Sequence, residues 1–535
     1  MELPYLTFSL FAQLLSSNLS QTIFVSILGL TLIGLLLVAV LLANKFLFYL
    51  RESMLKDKKK KGNYSIFPRL TGVKKTETVD ETGLDDVPYF KLNKGFDILI
   101  EGEAKSEIKD YHANTYAVSP LDFKYLPPIP KIAVQQGDEV LAGDVLFFDK
   151  NNESVLFTAP VSGEIAEIVR GEKRSIKEVV ILADREIKYK DFGAASVDSL
   201  TKEQILEKLL SSGSWNFIRQ RPFQVIADYT ITPKAVFVST FDTAPLAADL
   251  NFTLEGQKAL MQIGVDALAK LTEAPVYFGL NAKETPDDVF LGLNGVQYNW
   301  FEGKHPAGNV GIQIHHVSPI QKGEIVWTIN PEDLITIGKL FKEGKFDPIR
   351  TVAVVGPEIS NPLYVRTHLG ANISKIVENN LNNTHVRYIS GNVLTGKQIE
   401  ANEHLGFFHN QLTVIEEGDK YELFGWLLPS YMRPSLSRTF PSFMFPNYKF
   451  NVNTNTHGEK RAFVMTGQYE QVLPMDLYPV HLLKSIIAND FDKMEGLGIY
   501  EVVEEDLSVC EFVCTSKTQV QKILREGMDN LIEQI

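Results

Sequence analysis

Lys150, in the run FFDKNN, is placed where chemistry could be carried, because a lysine at a hairpin tip between short β-type runs can hold a lipoyl or biotinyl group. A carrier needs an acidic residue, Asp, Lys and Ala there. Phe148 replaces the acid, and Asn151, Asn152 and Glu153 lengthen the tip, so a surface lysine in a solvated loop is expected. The run GNVLTGK (391–397) fits G-x-x-x-x-G-K, but Gln398 stands where a phosphate loop needs a hydroxyl for magnesium. No nucleotide site is expected from it. Cys510 and Cys514 are the only cysteines, too few for a four-thiolate iron–sulfur cluster, and are expected as buried small apolar residues. His315 and His316 are adjacent, and on a strand they would face opposite ways and could not grip one ion together. His305 in KHPAGNVG and His457 in THGEKR lie in turn-like sequence and are expected as hydrogen-bonded or surface histidines. No Ser/His/Asp order, H-E-x-x-H or paired-carboxylate motif supports a hydrolase. Glu501, Glu504, Glu505 and Asp506 read as a solvated face or a helix start rather than a cation site.

These residues belong to a 535-residue chain, long enough for several cores, with 44% hydrophobic and 22% charged residues. A formal net charge of −13 argues against nucleic acid as a partner, and the two cysteines point to a reducing compartment. The fold class expected is α+β and multidomain. Segment 1–50 contains an uncharged apolar run at 23–43, which as a helix would be roughly 32 Å long and match a bilayer core. Lys45, Arg51, Lys56 and Lys58 to Lys61 follow it, so the positive-inside rule places the N-terminus outside and the body in the cytoplasm. An uncleaved membrane anchor is expected, followed by a basic and then polar linker over 51–88.

Residues 89–185 carry short β-type runs at 131–134, 144–148, 154–158 and 163–169 between glycine turns, the pattern of a barrel sandwich. Residues 186–346 read as a Rossmann-like α/β domain, with strands at 235–240 and 275–280 around a helix at 256–271. The turn after the first of those strands is FDTAPLAAD, which lacks the glycines that bring amides to a phosphate, so NADH or flavin in the usual position is not expected. Residues 347–440 suggest a β-grasp unit, a hairpin leading to a helix at ISKIVENN. Residues 441–535 show three- and four-residue apolar spacing and are expected to be mainly helical.

An ordered series of phrases carries a resemblance over about 91–535. It includes LNKGFDILIEG (92–102), FTAPVSGEIAEIVRGEKR (157–174), FDTAPLAAD (241–249), HPAGNVGIQIHH (305–316), GPEISNPLYVRTHLGA (356–371), YISGNVLTG (388–396) and YEQVLPMDLYP (469–479). In this the chain resembles the A subunit of the Na+-translocating NADH:quinone reductases. The resemblance implies one component of a sodium-pumping complex in a bacterial inner membrane, with subunits B to F as partners. It implies no redox cofactor on this chain, with flavins and iron–sulfur centres in the partner subunits. It further implies barrel-sandwich, Rossmann-like and β-grasp (SLBB-like) domains. Two roles follow from it: a contribution to the quinone-reduction step, or an assembly scaffold that does not touch substrate. For the first, His305, His315 and His316 beside Trp300 and Phe301 are the candidate quinone-binding residues, offering donors next to aromatic walls. The usual family member begins near Leu92, so the anchor and linker are additions here, and Thr515 and Ser516 stand where Pro-Gly is usual.

Overall fold

A computed structural model describes residues 87–419, 433–437 and 441–534. The expected anchor at 23–43 and the linker up to residue 86 lie outside the described residues. Among the described residues no helix is long and apolar enough to cross a membrane.

The barrel sandwich forms from two small sheets. One orders Thr115–Val118, Ile176–Ala183, Gly163–Arg170 and Glu139–Val140; the other orders Lys131–Ile132, Val145–Phe148 and Leu156–Thr158. Alternating apolar side chains close its core, where the Phe147 and Phe157 rings stack at 4.7 Å. Gly163, at φ +154°, must lack a side chain, since a Cβ there would lie 2.0 Å from the Leu182 carbonyl oxygen. Lys150 is exposed in the turn that closes at Asp149, whose carboxylate accepts the Asn151 N–H at 2.8 Å.

The α/β unit is a seven-stranded sheet. Tyr89–Lys91, Val296–Glu302, Val276–Asn281, Val236–Ser239 and Val326–Thr328 run parallel, and the antiparallel strands Arg219–Arg221 and Val225–Ile226 complete one edge. The parallel strands are Val- and Phe-rich because crossover helices pack on the sheet. Helices Lys258–Thr272 and Pro331–Glu343 meet through glycines: a Cβ on Gly264 would lie 2.4 Å from the Leu334 carbonyl oxygen, and one on Gly338 2.1 Å from that of Leu260. The strand Tyr89–Lys91 opens the segment 89–185 in sequence, yet it pairs with Trp300 to Glu302 on the outer edge of this sheet.

The β-grasp sheet orders Lys397–Ile399, Val386–Ser390, Gln411–Glu416, Ile349–Val355, Leu363–His368 and, from far upstream, Lys105–Asp110. The hairpin forms as expected, with Val352 opposite Val365. Its helix is shorter than the sequence suggested: it covers only Ser374–Val377, because Asn379 takes a left-handed φ of +56° and turns the chain away. The C-terminal part is helical at Pro479–Ile487, Phe491–Gly496, Glu504–Val513 and Val520–Ile532, and these helices share a core with Phe90, Phe301 and Ile312 of the α/β unit.

Candidate functional site

Trp300 and Phe301 are neighbours on the strand Val296–Glu302, so alternation sends their side chains to opposite faces. Trp300 joins the core shared with the barrel sandwich, its indole N–H buried without a partner, whereas Phe301 faces the helical C-terminal core and stacks on Phe90 at 5.1 Å. The Phe90 ring lies 5.9 Å from His316 on its other contact.

His315 and His316 are not on a strand. They close the helix Val310–Val317, with ring centroids 5.1 Å apart. Both are spent within the protein. The His315 Nε2 accepts the Asp476 N–H at 3.0 Å, which leaves Nδ1–H to donate to Glu501 Oε2 at 2.6 Å. His316 donates from Nε2 to the Pro474 carbonyl at 2.8 Å. His305 sits in the turn before that helix: its N–H donates to Asp97 Oδ1 at 2.8 Å, its Nδ1 lies 3.2 Å from Thr243 Oγ1, and its Nε2 is buried without a partner. Burial lowers His305 to about 4, and burial together with the neighbouring His315 does the same to His316, so both rings are neutral near pH 7. The structure thus brings Phe301, His316 and His315 into one packed layer and leaves Trp300 behind the sheet.

None of these five lines the cleft at the end of the parallel sheet. That cleft, about 550 Å³, opens beyond the C-terminal ends of the strands Val236–Ser239 and Val326–Thr328, the end of a parallel sheet where α/β folds place ligands. Arg219, Asp242, Asn309, Glu332 and Phe408 line it, and the C-terminal helices contribute Glu504, Glu505 and Arg525. Its surroundings are held by buried charge pairs. Arg221 donates to Asp506 Oδ2 at 2.8 Å and to Glu505; Arg350 donates to Glu332 Oε2 at 3.2 Å and Asp333 Oδ1 at 2.8 Å. Glu504 takes Arg525 and Lys124, each at 2.5 Å. Burial works against the Glu504 charge, but Arg525 and Lys124 outweigh it and hold the carboxyl down at about 2. Asp506, fully buried and with Glu505 beside it, is pushed up to about 6 in spite of Arg221.

The acidic group therefore starts the helix Glu504–Val513 as expected but is no solvated face: Asp506 is 0% exposed. Sequence reasoning also missed Arg219, Glu332 and Phe408. The available signal was Arg219 and Arg221 two residues apart on one strand, which sets two guanidiniums on one face.

The other motifs resolve more simply. Lys397 is exposed and begins a strand where a phosphate loop requires a helix, and Asn392 Oδ1 accepts the Leu394 and Thr395 amides at 2.8 and 3.0 Å. Asp242 Oδ1 accepts the Ala244 N–H at 2.7 Å, so the turn after Val236–Ser239 is organised by a carboxylate. Cys510 and Cys514 are free and buried, and burial pushes the Cys510 thiol up. No group of three or more His, Cys, Asp or Glu suited to a metal ion occurs among the described residues.

Comparisons with known proteins agree on one family. Residues 90–184 match the NqrA N-terminal barrel-sandwich hybrid domain, residues 200–346 the NqrA second alpha/beta domain, and residues 351–401 the NQRA C-terminal domain, of SLBB type. The A subunit of Na(+)-translocating NADH-quinone reductase from Yersinia pestis bv. Antiqua (strain Angola) is 39% identical over 440 residues, 82% of this chain and 98% of the relative. Its namesake from Neisseria meningitidis serogroup B is 38% identical over 445 residues, 82% of this chain and 99% of the relative. A crystal structure of NAD+-reducing [NiFe]-hydrogenase in the air-oxidized state aligns with 64% of this chain and 62% of its own at 12% identity and a TM-score of 0.32, too low to bear on the fold. With near-complete coverage of relatives at this identity, and three domain matches in their proper order, the chain belongs to the NqrA family, the A subunits of the Na+-translocating NADH-quinone reductases.

Proposed function

We propose that the chain is a structural component of a sodium-pumping NADH:quinone reductase, organising the complex rather than binding the quinone through the histidine–aromatic layer. In this reading the whole complex oxidises NADH, reduces quinone and exports sodium. Flavins and iron–sulfur centres reside in the partner subunits B to F, and this chain carries no redox cofactor. The body lies on the cytoplasmic side, and the apolar run at 23–43 tethers it to the bacterial inner membrane with the N-terminus outside.

One observation carries the scaffold role over the quinone role. Two of the three candidate imidazoles are already engaged in packing, His315 on Glu501 and Asp476 and His316 on Pro474, while His305 meets Thr243 through Nδ1 and keeps Nε2 buried without a partner. A quinone site needs donors directed into an apolar cavity. Here His315 and His316 join the α/β unit to the C-terminal part of the chain.

The test is substitution of His305, His315, His316, Trp300 and Phe301 singly by alanine in the intact complex. Loss of the chain from the complex, with an unchanged quinone KM in the complexes that do assemble, supports the scaffold role. A raised quinone KM in a fully assembled variant overturns it.

A further inference from the structure

Two side chains of the 550 Å³ cleft keep a buried polar atom without a partner. Arg219 lays its guanidinium over the Phe408 ring at 5.0 Å and donates from Nη2 to Asn330 Oδ1 at 3.1 Å, while its Nε has no partner. Among the described residues no carboxylate lies within ion-pair distance of it. Of the other cations in the cleft wall, Arg525 and Lys124 spend their charge on Glu504, and Lys522 is exposed beside Glu526 at 3.9 Å. Close by in the chain, Glu332 uses Oε2 to accept from Arg350 at 3.2 Å and Asn410 at 3.3 Å, while Oε1 is buried without a partner. Asn330, which accepts from Arg219, and Glu332 flank Pro331, the first residue of the helix Pro331–Glu343, so both side chains meet at one helix start.

Arg219 is half-buried; burial lowers its pKa, while the carboxylates of Glu505 and Asp333, beyond ion-pair distance, act the other way. An unsatisfied buried carboxylate oxygen is unfavourable. Both side chains line the cleft, where one ligand could bring an anion to the first and an N–H or O–H to the second. Asp122, Asp242, Glu504 and Glu505 also line the cleft and disfavour a multiply charged anion. The volume falls in the range of small-molecule sites, about 300–1,000 Å³.

We propose that this cleft binds a small metabolite bearing one anionic group, carboxylate or phosphate, that pairs with Arg219, together with a hydroxyl or amino donor that reaches Glu332. Amino acids, hydroxy acids and polyol phosphates share that chemistry. The site is separate from the histidine–aromatic layer, and its existence does not depend on the scaffold role.

Calorimetric titration of the detergent-purified full-length chain tests it with L-glutamate, L-malate and glycerol 3-phosphate, against inorganic phosphate and sodium chloride at matched ionic strength. At least one of the three is expected to bind more tightly than inorganic phosphate. Arg219→Met should weaken that binding by about tenfold or more, the scale of a charge-assisted hydrogen bond, and Glu332→Gln should weaken it by a smaller factor. Each variant's own thermal midpoint separates lost binding from lost folding, and Arg219→Lys, which keeps the charge but loses the planar fork, replaces the methionine variant if that one does not fold. The proposal is overturned if none of the three binds above the salt control, if inorganic phosphate binds as well as glycerol 3-phosphate and Glu332→Gln changes nothing, or if a folded Arg219 variant binds like the wild type.

Discussion

Arg221 and Asp506, 285 residues apart in sequence, form an ion pair of 2.8 Å whose side chains are 2% and 0% exposed. It joins the strand Arg219–Arg221 to the start of the helix Glu504–Val513, so the C-terminal helices are fastened to the α/β sheet by charge as well as by packing. Removing one partner would leave the other buried and uncompensated. Arg221→Ala is expected to cost about 3–5 kcal/mol in chemical denaturation, whereas the paired change Arg221→Met with Asp506→Leu should cost far less. Equal losses from the single and double variants would show that the pair is not what holds this junction.

Stability should fall on mild acidification because three imidazoles are buried in neutral form. His305, His316 and His409 are each lowered to about 4, by burial first; His315 adds to this at His316, and Lys397 and Arg350 at His409. The unfolded chain takes up protons near pH 6.5 while the folded chain resists until about pH 4, so the stability these groups permit is complete above pH 6.5 and is lost as pH falls through that window. Each shift corresponds to about 3 kcal/mol at most. Denaturant midpoints measured from pH 7.5 to pH 4 should decline, and His409→Gln, which keeps a neutral side chain there, should flatten the decline. An unchanged slope in that variant would count against the assignment.

Asp506 acts in the opposite sense. Its carboxyl is raised to about 6 by burial, so its ionisation opposes folding as pH rises from about 4 to 6, and Asp506→Asn should remove that opposing component, making the acid-side decline steeper. The comparison needs only the two denaturation profiles side by side.

The glycine contact between helices Lys258–Thr272 and Pro331–Glu343 predicts a result that helix propensity alone would reverse. Alanine is the better helix former by about 1 kcal/mol. Nevertheless Gly264→Ala and Gly338→Ala should each destabilise by about 1–3 kcal/mol, because the added methyl meets a backbone carbonyl of the other helix and neither helix can rotate a rotamer out of the way. A gain in thermal midpoint for either would mean that the helices separate at little cost.

Removing residues 1–86 is expected to release the body from membranes while leaving it folded. The cut must stop there, since Tyr89–Lys91 is an edge strand of the parallel sheet and Lys91 pairs with Glu302 at 2.9 Å. Fractionation of cells carrying the shortened chain, with circular dichroism of the purified product, checks both halves. Undiminished membrane retention would make the apolar run at 23–43 redundant for tethering.

The elements that could be read from sequence were those whose periodicity is unambiguous. The buried runs that became Val236–Ser239 and Val276–Asn281, and the helix Lys258–Thr272 between them, announced themselves by β-branched clustering and by three- and four-residue spacing. The stretch containing His315 and His316 misled because Ile312 and Ile314 alternate with polar residues as a strand would, and a helix of eight residues is too short for its own period to show. Of the candidate site, Phe301, His315 and His316 meet in one layer, but strand alternation divides Trp300 from Phe301. The cleft was illegible for another reason. It is assembled from positions between Asp122 and Arg525, and no local pattern marks Arg219 as one of its walls.

The threading of the N-terminal strands has a consequence for biosynthesis. Lys91 finds Glu302 211 residues later, and Lys105 finds Asn361 256 residues later, each in a different sheet. At about 5–20 residues per second, the first of these segments waits roughly 10–40 s after its own synthesis before its partner has been made. Two sheet edges therefore stay open during translation, and the protein cannot mature one domain at a time from its amino end. A ribosome that stalls before residue 302 would release a chain with a complete barrel sandwich and two unmatched strands, a natural substrate for chaperones or proteases.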